Sequence, residues 1–243
     1  MKITTGPQPG PQRCLLYGVP GVGKSTFAAG APDALFLQLE RGVDHLDVAK
    51  TELLNDWEAV VEALTFICNE NLPYKWLVID TVTKLQEFID RQTAKDNGVD
   101  NIEKIPYAKG KLYTMNYWKR VIEALKILNE KKGMGLILLA HAKTKQHHDP
   151  ETDTFDKFIL DMHDCVQAHL VQWADVVLFA RYQTRTKQVD AGFGRTQTKA
   201  IATAPRILRC NDRPTATAKN RLGLPDEIAL DWNEFSKFLP KGA

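Results

Sequence analysis

Gly18-Val19-Pro20-Gly21-Val22-Gly23-Lys24-Ser25 has the spacing G-x-x-x-x-G-K-S and is the segment from which the rest of the chain can be placed. Its glycines let successive main-chain N–H groups curl round an anion. Lys24 is spaced to reach the β- and γ-phosphates of a nucleotide, and the Ser25 hydroxyl to ligate Mg²⁺. A helix starting at Lys24 aims its positive end at the same anion, with Thr26 beside the α-phosphate. Val19, Pro20 and Val22 complete the loop, so residues 18–26 are the expected binding segment for ATP with Mg²⁺.

A loop of this kind needs a strand before it and a helix after it. Residues 14–17 form an apolar run, and an Ala-rich helical pattern covers 24–30. Further apolar runs at 34–39, 76–79, 136–139 and 176–180 have the length and character of strands buried on both faces. Helical patterns fall between them at 57–69, 81–95 and 113–130. This alternation predicts an α/β fold, a mostly parallel central sheet flanked by helices. The last third differs. Segments 175–189 and 198–209 are β-rich and joined by a glycine-containing turn at 190–195. A last strand at 227–231 and a short helix at 232–239 follow. They predict C-terminal antiparallel strands on the parallel core. Residues 1–12, rich in Pro and Gly, are expected to be a flexible arm, leaving 13–243 as a single domain.

Composition narrows the classes. The 243 residues suffice for one α/β domain and are short for two. A net charge of +2 does not mark a nucleic-acid binder, so any basic surface must come from clustering. Such clustering exists: Arg181, Arg185, Lys187, Arg195, Lys199, Arg206, Arg209, Arg213, Lys219 and Arg221 are opposed only by Asp190 and Asp212 within that span. Cys14, Cys68, Cys165 and Cys210 form no C-x-x-C pair, which predicts free thiols in a reducing compartment. The N-terminal residues carry no apolar stretch and the apolar runs are too short to span a bilayer. A cytoplasmic protein without membrane partners is therefore expected. His147, His148, Asp149 and Glu151 lack regular ligand spacing and are expected to form a polar loop.

Two carboxylates complete the expected site. Trp76-Leu77-Val78-Ile79-Asp80 is an apolar strand ending in an acid, placed to hold Mg²⁺ beside Ser25. The next residue is Thr81, whereas AAA+ ATPases usually place the water-activating Glu there. Glu40, at the end of the run 34–39, is the candidate base. His141 ends the run 136–139 and its extension.

Lys24, Asp80 followed by Thr81, and Glu40 on an earlier strand end together resemble the RecA-like P-loop ATPases. Within them, the chain is similar to the compact phage RecA-core proteins of the Sak type, which act as single-strand annealing and recombination mediators. The resemblance covers about residues 13–232. Residues 136–143 look like the strand that ends in a polar sensor, which implies a place for His141 next to the γ-phosphate. Residues 174–178 look like the strand that follows. Ala218-Lys219-Asn220-Arg221-Leu222-Gly223 resembles the K-N-R-F-G segment of RadA with Leu222 for Phe. It implies that Lys219 and Arg221 reach a neighbouring subunit's nucleotide. Residues 105–111 resemble a loop of the phage group. By analogy with the two DNA loops of RecA, segments 97–111 and 143–160 are the candidate DNA contacts, through Tyr107, Lys109, Lys111, Lys143 and Lys145. The chain departs from RecA in a shorter spacing from Lys24 to Glu40 and in Gln38-Leu39-Glu40-Arg41 where D-x-E-G-G is usual, and no counterpart of RecA's second domain is expected within these residues.

The resemblance implies an ATP-dependent, Mg²⁺-requiring protein that binds single-stranded DNA and promotes annealing or strand exchange. ATP would be hydrolysed at a subunit interface of a ring or filament, with DNA stimulating turnover. Its partners would be single-stranded DNA, further copies of itself and a single-strand DNA-binding protein. Two alternatives stand beside it: a P-loop small-molecule kinase, and an ATP-sensing accessory factor of replication or recombination. A GTPase is disfavoured by the missing N-K-x-D, and an ABC ATPase by the missing L-S-G-G-Q.

Overall fold

Alternating apolar strands and amphipathic helices build the order β1 (Arg13–Gly18), α1 (Lys24–Ala29), β2 (Ala34–Gln38), β3 (Ala49–Lys50), α2 (Trp57–Asn69), β4 (Trp76–Asp80), α3 (Val82–Asp96) and α4 (Gly110–Lys126). Then follow β5 (Gly135–His147), β6 (Phe155–Leu160), α5 (Asp164–Trp173), β7 (Val176–Tyr182), β8 (Thr186–Asp190) and β9 (Thr196–Ala200). The chain closes with β10 (Arg206–Arg209), β11 (Lys219–Asn220), β12 (Glu227–Ala229) and α6 (Trp232–Ser236). This computed structural model describes residue 5 and residues 10–148, 153–183, 186–190, 196–200 and 205–240, with the backbone alone at 186–190 and 196–200.

The main sheet has the order β12-β10-β7-β1-β5-β4-β2-β3, with β11 pairing β7 and β6 pairing β5. Strands β7, β1, β5, β4, β2 and β3 are mutually parallel, while β10, β11 and β12 are joined antiparallel at the β7 side. The expected fold class is therefore found, including its antiparallel C-terminal strands. The strands lack alternation because both faces are covered. Leu15, Tyr17, Leu37 and Ile79 pack on one side against α2, α3, α4 and α5. Leu16, Phe36, Val78 and Ile137 pack on the other against α1 and α6. Asp56 caps α2 by accepting from the Ala59 N–H at 2.8 Å, and Thr81 caps α3 by accepting from Lys84 N–H at 3.2 Å.

Several elements differ from expectation. β5 does not stop near residue 139 but runs on to His147, and its distal half pairs with β6 from Ala142↔Leu160 to His147↔Phe155. The segment expected as a loop at 143–160 is thus largely a two-stranded ribbon. Its β5 half is polar and largely exposed, and β6 offers only the short apolar run Phe158-Ile159-Leu160 to mark it. α5 buries only Val166 and Leu170, too few for a clear helical period. β2 ends at Gln38, leaving Glu40 in the loop beyond. β8 and β9 form a separate antiparallel pair, and most of the expected turn at 190–195, residues 191–195, lies outside the described residues. Of the expected arm, 1–4 and 6–9 lie outside them too. Residues 10–12 are tied to the body, with Pro11 O accepting from Asn129 Nδ2 at 3.0 Å and Gln12 O from Leu136 N–H at 2.8 Å. The four cysteines are free thiols. No helix among the described residues is long and apolar enough to cross a membrane.

One ion pair fixes the amino end of the central strands. Arg13 Nε and Nη2 donate to the two Asp175 oxygens at 2.9 and 2.7 Å, and the Arg13 N–H adds a third bond at 3.1 Å. Burial alone would raise the Asp175 pKa, but the Arg13 hydrogen bonds and charge outweigh it and hold the carboxyl below its ordinary value. A depressed folded pKa means that this stabilisation is complete above the unfolded value, about 3.9, and is lost as pH falls through the folded one. Asp175→Ala should therefore cost on the order of 2 kcal/mol at pH 7. The gap from wild type should narrow in denaturant melts below about pH 4. A gap that stays constant down to pH 2 would contradict this.

Candidate active site

Parallel strands bring their carboxyl ends to one edge, and here that edge gathers the polar residues. β5 lies between β1 and β4, so Gly18 is level with His141, and Asp80 is paired with Leu139 on one side and Gln38 on the other. The loop after β1 needs its glycines. A Cβ at Gly18 would lie 2.4 Å from Ala180 O, and Gly23 has φ +106° as the residue before α1.

Lys24 is only 6% exposed, and its Nζ donates to Gly18 O at 3.0 Å and Val19 O at 3.2 Å. Burial lowers its pKa, with the charges of Asp80 and Glu40 opposing. A buried ammonium whose hydrogen bonds go only to neutral carbonyls is a ready partner for phosphate oxygens. Ser25 Oγ donates to Asp80 Oδ2 at 2.6 Å. Asp80 is 2% exposed, and burial raises its pKa, the Ser25 bond partly offsetting this. A hydroxyl and a buried carboxylate at contact distance are the hard oxygen donors that Mg²⁺ takes. The residues present therefore fit a magnesium nucleotide.

Glu40 stands on the loop after β2, with its Oε1 3.3 Å from His141 Nε2. The hydrogen bond to His141 is the largest influence on its pKa. With Thr81 and Lys24 it outweighs burial and keeps the carboxyl below its ordinary value. Glu40 is thus ionised at neutral pH, the form a general base requires. The His141 main-chain N–H donates to Thr83 Oγ1 at 2.9 Å, fixing the strand end to the start of α3.

These groups line one cavity of about 470 Å³ with Pro20, Gly21, Gly23, Thr26 and Thr81. Arg41, Gly42, His45 and Arg206 also line it and were not among the expected site residues. Arg41 and Gly42 follow Glu40 directly, so the loop itself was the available signal. Arg206 is far away in sequence and gave none.

Lys219 and Arg221 are placed elsewhere. Lys219 Nζ donates to Val171 O, Gln172 O and Ala174 O at 2.9, 2.7 and 2.6 Å, closing the carboxyl end of α5. Arg221 Nη1 lies 3.5 Å from Asp175. Both stand near the amino end of β7, where β11 pairs with Val176 and Val177, while the phosphate loop is level with Ala180. Within one chain they do not reach the cavity.

The expected DNA contacts form a second group. Tyr107 is 90% exposed at φ +60°, with Lys109 Nζ 5.5 Å from its ring centre. Lys145 pairs with Asp164 at 2.6 Å and Lys143 with Asp161 at 3.2 Å. The Lys145 hydrogen bond holds the Asp164 carboxyl low, and the charges of Lys143 and Lys111 add to it, so the three lysines surround one acid. In the basic segment, Arg209 pairs with Glu227 and Arg213 with Asp226. Arg185 and Arg195 lie outside the described residues, as do the side chains of Lys187 and Lys199. So do Asp149 and Glu151, while His148 Nδ1 meets Thr154 Oγ1 at 3.0 Å.

A protein-family profile described as an AAA domain matches residues 10–222. No curated protein matches the chain.

Proposed function

The chain belongs to this AAA-domain family, and on that footing we propose that it hydrolyses ATP with Mg²⁺ at the cavity above β1 and uses the ATP-bound state to hold single-stranded DNA for annealing or strand exchange. The observation that carries the first half is the convergence of buried Lys24, the Ser25–Asp80 pair and ionised Glu40 on one cavity.

In this proposal the loop N–H groups and Lys24 hold the β- and γ-phosphates. Ser25 and Asp80 would hold Mg²⁺, which supplies charge neutralisation at the phosphate oxygens. Glu40 takes a proton from water as its oxygen bonds the γ-phosphorus and the bridging oxygen leaves with ADP. His141 keeps Glu40 ionised and oriented. A base supplied from the β2 loop, with Thr81 after Asp80, favours the RecA-like arrangement over the more usual AAA+ one.

The DNA half is supported by continuity. Two residues past His141 the same strand carries Lys143, then Lys145, so a displacement at the γ-phosphate would have a continuous strand through which to reach the ribbon. The ribbon base is also keyed to β1, because Phe158, Phe179 and Tyr17 stack at 5.0 and 4.9 Å and Tyr17 Oη donates to Thr217 O at 2.7 Å. Exposed Tyr107 offers a stacking face beside lysines. Exposed Arg221, at the opposite end of the parallel strands, suits a head-to-tail assembly in which one copy faces the next copy's nucleotide, while Lys219, with its three donors on α5 carbonyls, would hold that segment in place.

Anisotropy of a labelled oligothymidylate tests the switch. With a non-hydrolysable ATP analogue the affinity should exceed the nucleotide-free value by about tenfold or more, the scale of ordinary allosteric coupling. Tyr107→Ala with Lys145→Ala should weaken it. Equal affinity with and without nucleotide would contradict an ATP-switched DNA binder.

A further inference from the structure

The sheet order divides the cavity. Strands β5, β4 and β2, which bring His141, Asp80 and Glu40, all lie on one side of β1. On the other side lie β7, β10 and β12. Among the described residues lining the cavity, the cation that enters from that second flank is Arg206, the first residue of β10.

Its backbone is held from both sides. Arg206 is paired with Tyr182 of β7, and its carbonyl accepts from Leu230 N–H at 3.0 Å. In a strand, residues two apart share a face. Arg206 therefore shares the face of Leu208, which packs in the cluster around Phe27 of α1. The guanidinium accordingly extends over the start of α1. Nη1 donates to Val22 O at 3.4 Å, a long bond, and lies 2.7 Å from the position a Cβ on Gly23 would take. Among the described residues Arg206 has no carboxylate partner, unlike Arg209 and Arg213 on the same segment. An exposed guanidinium at the rim of a phosphate loop, with one long bond to a carbonyl and no carboxylate partner among the described residues, is free to take the oxygens of a phosphate group.

The geometry points to Arg206 as a nucleotide-binding residue acting within its own subunit, taking the α-phosphate end of the nucleotide on the flank opposite Glu40 and His141. This rests on the proposed ATP site and names a contact that site lacks. The γ-phosphate must lie toward Glu40 and His141, so the chain of phosphates runs from there across the loop toward Thr26 and Arg206. An α-phosphate contact is made equally by ATP and ADP and is already present before the chemical step. It therefore raises affinity without changing the step itself.

Titration calorimetry with ADP and Mg²⁺, together with steady-state ATP turnover, tests the assignment on the full chain. Arg206→Ala should weaken ADP binding roughly 10- to 100-fold, the range for losing hydrogen bonds to a charged group. KM for ATP should rise by a similar factor while kcat stays within about threefold. Arg206→Lys should recover part of the affinity and Arg206→Gln little of it, and these two carry the test where the alanine variant does not fold. Wild-type ADP affinity in all three variants would overturn the assignment. So would a loss confined to ATP, which would place the contact at the γ-phosphate. A wild-type chain that binds neither nucleotide overturns the ATP site itself, a result distinct from either.

Discussion

Lys24→Ala should abolish measurable ATP turnover, with a fall of at least about 10²–10³, the scale for removing one preorganised donor to developing charge. The expectation follows from how the side chain is held. Its ammonium is buried and hydrogen-bonded to the carbonyls of Gly18 and Val19, with the charges of Asp80 and Glu40 partly offsetting its burial, so the loop holds a positive charge where the phosphates arrive. Removing it deletes the charge and leaves two carbonyls facing the same space. The fold should survive, because alanine is a better helix former than lysine at the first position of α1. Unchanged circular dichroism and melting temperature alongside lost phosphate release would locate the defect in the site. Turnover reduced less than about tenfold would mean that Lys24 does not face the reacting phosphates.

Glu40→Gln should separate binding from chemistry. A general base contributes about 10²–10⁴ to rate, and turnover should fall by that factor while ATP affinity stays close to wild type. Glutamine preserves the size of the side chain and a hydrogen-bond acceptor toward His141, so the loop after β2 keeps its place. The variant should therefore accumulate in the ATP-bound state and hold single-stranded DNA longer than wild type. Full turnover in Glu40→Gln would remove Glu40 as the base. Thr81, next to Asp80, has no ionisable group to take its place.

The legibility of this chain follows from how local each signal is. Strands buried on both faces appear as unbroken apolar runs, which is why β1, β2, β4 and β7 could be located to within a residue or two. The loop from Gly18 to Ser25 was readable because its chemistry needs contiguous residues. Asp80 and Glu40 are readable because parallel strands deliver their ends to one edge, and the sheet order supplies what the sequence could not, namely that β5 inserts between β1 and β4 and brings His141 level with Gly18. The distal half of β5 gives no such signal because a solvated ribbon has no apolar period. α5 gives none because it buries two side chains only. Arg206 reads in the sequence only as one of a run of basic residues, since nothing local ties a β10 residue to a loop near the other end of the chain. Lys219 shows the converse. Its motif resemblance points to a neighbour's nucleotide, and its three carbonyl bonds hold it at the end of α5.

The most direct test of the central claim is phosphate release from ATP with Mg²⁺, measured for wild type, Lys24→Ala and Glu40→Gln, each with and without single-stranded DNA. Wild type should release phosphate slowly alone and faster with DNA, and both variants should be inactive under either condition. Phosphate release that persists in Lys24→Ala, or none from wild type even with DNA, would contradict an ATPase built on this loop.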